Sequence, residues 1–221
     1  NRHRDPYYPI YFYLEIEDFL SENEKKEIKN EYDKLELSTS DFDLNRRIGE
    51  NDAYICELIR DDLVEDFITL MNRKNIPFNS RIEPSVFETN RFLIKNKPSL
   101  IEYAAFYGSI QIFKYLYLCR NDLLKPSVWN YVIHGRNPEL VHFLEENSIQ
   151  TIDNHFIGIL NESIKCHHNE IADYFLNNFL YDDQKDESYY SSILKSYNYS
   201  YFPSDLDNSF IFFHLCKNDY F

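Results

Sequence analysis

The stretch KPSLIEYAAFYGSIQIFKYL (97–116) returns in altered form as KPSVWNYVIHGRNPELVHFL (125–144), beginning 28 residues later. Ungapped alignment sets Leu100 over Val128, Tyr103 over Tyr131 and Ala104-Ala105 over Val132-Ile133. Further along, Ile112-Phe113 falls over Leu140-Val141 and Tyr115-Leu116 over Phe143-Leu144. The apolar positions coincide while the polar ones drift, as a constraint on packing leaves them. A fixed period of this size points to a solenoid of stacked repeats.

Each unit reads as two short helices. Ser99 is placed to cap the first helix of its unit, with Glu102 three residues on completing a capping box. Ser127 takes the same place in the next unit without the Glu. The first helix is apolar on nearly all sides, so it is expected to be buried between neighbours. Breaks follow at Gly108-Ser109 and at Arg136-Asn137. Asn137 is a good N-cap, Pro138 fits the first helical position, and Glu139 suits the positive helix end. Leu140, Val141, Phe143 and Leu144 then follow at amphipathic spacing, and Asn147 stands where a left-handed stop is expected.

Fainter copies extend the pattern. NESIKCHHNEIADYFL (161–176) places Ile164, Ile171, Ala172, Tyr174 and Phe175 in matching slots, and NDAYICELIRDDLVEDFITL (51–70) does so with Ile55-Cys56, Leu63-Val64 and Phe67. FIFFHLCKNDYF (210–221) resembles the first helix of a fifth unit. The expected units lie near 51–71, 99–118, 127–146, 160–178 and 208–221, with an insert at 72–97. A fifth unit that stops after its first helix predicts that the natural protein continues with further repeats, or that a partner covers Phe210, Phe212 and Phe213.

Composition narrows the functional classes. Four glycines in 221 residues leave little room for glycine-rich phosphate loops. A net charge of −14 disfavours nucleic acid and anionic membranes. No stretch approaches the ~20 apolar residues of a membrane span. The four cysteines, Cys56, Cys119, Cys166 and Cys216, form no CxxC pair and sit in apolar helical slots. They are expected to be free, with no bound metal, in a reducing intracellular, cytoplasmic setting.

The segment LIEYAAFYGSIQIFKYL resembles the ankyrin repeat, whose core reads roughly T-P-L-H-x-A-A-x-x-G-H-x-E-I-V-x-x-L-L. Ser99, Ile101, Ala104, Ala105, Gly108, Ile112, Phe113 and Leu116 match or substitute mildly. The wording of the repeats and the glycine-poor, aromatic-rich composition are similar to a divergent ankyrin group expanded in protist parasites. The resemblance covers residues 49–221 and is most specific in the two central units. It departs from the pattern in having Glu102 and Asn130 in place of the usual histidine. It implies an all-α, ankyrin-like solenoid and a protein–protein interaction scaffold that is not an enzyme. In ankyrin-type repeats the two positions after the Ala-Ala pair, and the loop before the first helix, face the concave groove. Carried over, these are Phe106 and Tyr107, His134 and Gly135, Lys165 and Cys166, with Arg120, Asn121 and Asp122 from a loop. Phe106 and Tyr107 stand out, because a solvated helix end has no need of adjacent aromatics. They suit either a contact site or burial beneath the insert.

Residues 1–48 carry no repeat and are expected to form a helical N-terminal cap. Ser21 and Glu24 make a capping box, followed by a thin stripe of Ile28, Tyr32 and Leu35. The aromatic segment YYPIYFYLEIEDFL (7–20) needs covering, by the first repeat or by a partner. The insert 72–97 is expected to hold a short helix near PSVFETNRFL (84–93). Segment 182–201 is expected to be a polar connection with one Tyr-rich helix, its tyrosines packing on the fourth unit or forming a sticky surface.

Chemistry is harder to find. Cys166, His167, His168 and Glu170 tempt as a zinc cluster, but no second Cys/His pair lies at regular spacing nearby, and the repeat pattern makes them a turn. His134 lacks an evident acid and nucleophile, so a helix-end role is favoured. The function that the resemblance implies is binding of a protein partner without a cofactor, alone or as part of a large complex. The alternatives are a structural component of an assembly and a regulatory module of an enzyme whose active part lies elsewhere.

Overall fold

The computed structural model describes residues 8–119, 124–149, 156–179 and 187–202, together with Phe213 and Cys216. All regular structure among them is helical. The helices are α1 (Tyr8–Tyr11), α2 (Tyr13–Ile16), α3 (Glu22–Asp33), α4 (Thr39–Ile48), α5 (Tyr54–Arg60), α6 (Val64–Lys74) and α7 (Arg91–Asn96). They continue as α8 (Leu100–Tyr107), α9 (Ile110–Cys119), α10 (Val128–Gly135), α11 (Pro138–Glu146), α12 (Ile157–Lys165), α13 (Asn169–Phe179) and α14 (Glu187–Ser196). Among the described residues there is no strand, and a single antiparallel bridge joins Arg81 to Ser99. The chain divides into two compact units between Leu100 and Ile101.

In the first unit, the expected capping box at the start of α3 forms. The Glu24 amide donates to Ser21 Oγ, and Ser21 N donates to Glu24 Oε2 at 3.0 Å. Of the N-terminal aromatics, Tyr13 is buried at the head of a ladder of rings, whereas Phe19 is exposed. Tyr13 meets Tyr32, Tyr32 meets Phe42, and Phe42 meets Phe87, with centroids 4.7–5.2 Å apart. Arg46 of α4 pairs with Glu15 and donates to the Tyr11 carbonyl, and the Tyr11 hydroxyl donates back to the Arg46 carbonyl. The insert folds onto residues 49–53. Thr89 donates twice to the Gly49 carbonyl, Asn51 donates to the Glu83 carbonyl at 2.8 Å, and Ser85 donates to Asp52. Its helix starts later than the sequence suggests. Residues 84–90 are irregular, because the Asn90 side chain accepts from the amides of Phe92 and Leu93 and so starts α7 at Arg91.

The second unit is built from helix pairs in which the first member is buried on most sides. Residues 100–105 of α8 are all buried, as are Val128, Trp129, Tyr131, Val132 and Ile133 of α10. The second helices bury one stripe only, Ile112, Phe113 and Leu116 in α9 and Leu140, Val141 and Leu144 in α11. Helix α12 packs against α10, α13 and α14. Asn137 caps α11 through the Glu139 amide, with Pro138 following. Two expected caps differ. Ser127 makes no cap bond, because its hydroxyl donates to buried Glu102 at 3.1 Å. The left-handed stop of α11 falls on Ser148 (φ 53) rather than Asn147.

One turn recurs along the chain. Each first helix ends on a residue in the left-handed region: Asp62 (φ 51), Gly108 (72), Arg136 (50), His167 (56) and Tyr197 (58). Each of these amides bonds the carbonyl three residues back. In four of the five the next amide closes a six-residue loop, Leu63 to Leu58, Ser109 to Ala104, His168 to Ser163 and Asn198 to Ile193. That is the Schellman stop, and its bonds offset the roughly 1–2 kcal/mol that a non-glycine residue costs there. The fifth turn lies at Tyr197, so α14 has the end of a first helix rather than that of a plain connection. The expected fifth unit at 208–221 lies outside the described residues apart from Phe213 and Cys216.

Candidate functional site

The recurring turn brings equivalent residues of successive pairs side by side. Phe106, His134 and Lys165 each stand two residues before the left-handed position; Tyr107, Gly135 and Cys166 stand one before it. The Phe106 ring stacks on the His134 imidazole, with centroids 5.1 Å apart at 26°. Tyr107 packs edge-on to Phe106 and against Tyr103. His134 Nε2 lies 3.2 Å from Glu162 Oε1, and Cys166 Sγ lies 3.6 Å and 3.7 Å from the two ring nitrogens. Lys165, half exposed, donates to Glu162 Oε2 at 3.3 Å. The result is a continuous ledge running from α8 across α10 to α12.

Gly135 explains how close the pairs come. A Cβ built on it would lie 2.3 Å from the Ala105 carbonyl oxygen and 3.1 Å from the Gly108 amide. Only a residue without a side chain lets the end of α10 meet the end of α8 at this distance. Polar ties then fix the register between neighbouring turns. The Asn137 side chain donates to the Gly108 carbonyl at 2.8 Å, the His168 Nδ1–H to the Ile133 carbonyl at 2.8 Å, and the Asn198 side chain to the Ile164 carbonyl at 3.0 Å. In each case the residue after the left-handed position satisfies a carbonyl near the end of the preceding first helix, where intrahelical partners run out.

The electrostatics of the ledge follow from its contacts. The His134 hydrogen bond, helped by the Lys165 charge, outweighs burial and holds the Glu162 carboxyl below its usual range. Burial pushes the Cys166 thiol up to about 12, with Glu162 adding to the effect. Burial lowers His168, although its bond to Ile133 opposes the shift.

The structure brings together Phe106, Tyr107, His134, Gly135, Lys165 and Cys166 of the expected contact residues. Arg120, Asn121 and Asp122 lie outside the described residues. The insert, offered as a cover for Phe106 and Tyr107, packs on residues 49–53 and Phe42 within its own unit. Cys166, His167, His168 and Glu170 do form a turn and the start of α13. Of these, His167 faces the Ser196 carbonyl and His168 the Ile133 carbonyl, whereas Cys166 faces His134. The four cysteines are free. Of the tyrosines near the end, Tyr189 and Tyr201 are buried, and Tyr197 and Tyr199 are exposed.

Glu162 was not singled out by its type or its neighbours. The repeat alignment carries its signal, since it occupies the position of buried Tyr103 and Tyr131 in the two preceding pairs. A separate pocket of about 190 Å³ lies between α11 and α13, lined by Val141, Ile171 and Tyr174 with Arg136 and Glu170 among its polar residues. No helix among the described residues is long and apolar enough to cross a membrane. Comparison of the chain with protein-family models, with curated proteins and with solved structures gave no match in any of the three.

Proposed function

We propose that the chain is a protein-binding scaffold made of ankyrin-like repeats, and that the ends of its first helices form the contact surface. One observation supports this above the others: the ledge on which Phe106, Tyr107, His134 and Lys165 stand in register. Half-buried aromatics such as Phe106 and Tyr107 match the residue types enriched at the centre of protein interfaces, and the Lys165–Glu162 pair suits the polar rim. Stacked helix pairs supply such a ledge on a rigid base, since each pair holds its neighbour. The partner is a protein, the setting is cytoplasmic, and the chain itself does no chemistry.

The test places a photo-crosslinking residue at Lys165, which is exposed and outside the aromatic contacts, and identifies captured proteins by mass spectrometry. A discrete partner is expected. Replacing Phe106 and Tyr107 together by Ala should weaken its binding by about 2 kcal/mol, roughly 30-fold, with helix content unchanged. Unchanged affinity accompanied by a large loss of thermal stability would assign both rings to packing alone.

A further inference from the structure

We propose that His134, Glu162 and Cys166 form a zinc site with three protein ligands and a fourth position open to water. Their donor atoms lie within 4.8 Å of one another, and all three residues are partly buried. A tetrahedral zinc with bonds of about 2.3 Å to sulfur and about 2.0–2.1 Å to nitrogen and oxygen separates its donors by roughly 3.3–3.6 Å. The spacing from Nε2 to Oε1 is 3.2 Å and from Nε2 to Sγ is 3.7 Å, so two edges are already near their bonded lengths. The sulfur is almost equidistant from both ring nitrogens, which places it over the imidazole face rather than on a lone pair. Closing the site takes a rotation of the ring about its Cβ–Cγ bond, out of its stack on Phe106, with adjustment of the Cys166 and Glu162 side chains.

The backbone supports that geometry. Glu162 and Cys166 are four residues apart at the end of α12, hence on one face of it, and α10 packs against that helix. Packing alone does not ask for these residues. Glu162 stands where the preceding pairs hold tyrosines, His134 where α8 holds Phe106, and Cys166 where α10 holds Gly135. A thiol, a carboxylate and an imidazole have converged at three positions that hold a glycine or an aromatic ring one repeat earlier.

The chemistry of the donor set selects the ion. Thiolate and imidazole favour zinc over magnesium or calcium. One thiolate, one carboxylate and a neutral imidazole cancel the charge of Zn²⁺, which suits a half-buried place. Binding replaces the thiol proton by the S–Zn bond, and that proton leaves to solvent. Lys165 remains on Glu162 Oε2 and orients the ligand oxygen from outside.

The test uses the full chain, reduced and freed of metal with a chelator, and titrates it with Co²⁺ as a spectroscopic stand-in for zinc. One equivalent should bind, giving a thiolate-to-cobalt charge-transfer band and the intense visible absorption of a tetrahedral ion. Added Zn²⁺ should abolish both. Cys166→Ser should remove the charge-transfer band, and His134→Gln should weaken cobalt binding about tenfold or more. Cys119→Ser and Cys216→Ser should leave the spectrum as it is. Absence of the band in the unaltered chain would overturn the proposal, as would a band that survives Cys166→Ser. If Cys166→Ser fails to fold, His134→Gln and Glu162→Gln decide: cobalt affinity unchanged in both overturns the site, and loss in either supports it.

Discussion

Gly135→Ala offers a direct trial of how closely the helix pairs meet. The added methyl would sit 2.3 Å from the Ala105 carbonyl oxygen, where ordinary contact begins near 3.4 Å. The obstacle is backbone on both sides, so no side chain can swing away and the two helix ends must part by about 1 Å. Overpacking of this kind costs about 1–3 kcal/mol or more. Alanine returns up to about 1 kcal/mol of helix propensity, so the net loss should be about 1–2 kcal/mol. For a chain of this size that corresponds to a fall in Tm of about 2–8 °C. Gly158→Ala is the internal control. It is the same chemical change, also within a helix, but its methyl meets nothing within 4 Å. That variant should gain a few tenths of a kcal/mol to about 1. Thermal unfolding followed by circular dichroism measures both. Shifts of the same sign and similar size would refute the close approach of α8 and α10.

Three other outcomes follow from the described contacts. Asn137→Ala removes both the cap of α11 and the tie to Gly108, and should cost about 1–2 kcal/mol in chemical denaturation; Asn137→Asp keeps the cap, loses the donated bond and should recover only part. Glu88 is buried with one carboxylate oxygen unpartnered, and burial raises its pKa, so stability should fall as pH climbs from the ordinary carboxylate value through the raised one; Glu88→Gln should gain about 1 kcal/mol at neutral pH and nothing at about pH 4 and below. Glu162 shifts the other way, so its contribution is present above the ordinary carboxylate value and lost as pH falls through the lowered one; Glu162→Gln should cost about 1 kcal/mol near pH 7, with the gap from the unaltered chain closing in acid.

Much of the helical pairing was legible because burial writes itself as apolar spacing. Leu100, Tyr103 and Ala104-Ala105 in one pair and Val128, Tyr131 and Val132-Ile133 in the next are all buried, as their coincidence required. The turn at Tyr197 escaped because its marks are conformational. Asp, Gly, Arg, His and Tyr fill the five left-handed positions, and no residue type unites them. The α7 start escaped for a similar reason, since Pro84-Ser85 looks like a helix opening while the Asn90 side chain sets the actual one. The His134–Glu162–Cys166 cluster was out of reach of spacing rules because its members come from different pairs, 28 and 32 residues apart. Only the packing of α10 against α12 folds that separation into a few ångströms.

The ties from Asn137, His168 and Asn198 each join one turn to the turn before it and reach no further. Such a chain of joints confines damage. A residue lost at one joint loosens two neighbours and leaves the others with their own donors and carbonyls, so sequence can wander at one place without correction at a distant one. A single shared core lacks that freedom, because every side chain there answers to all the rest. The helix pairs accordingly differ in wording while their turns keep the same backbone conformation.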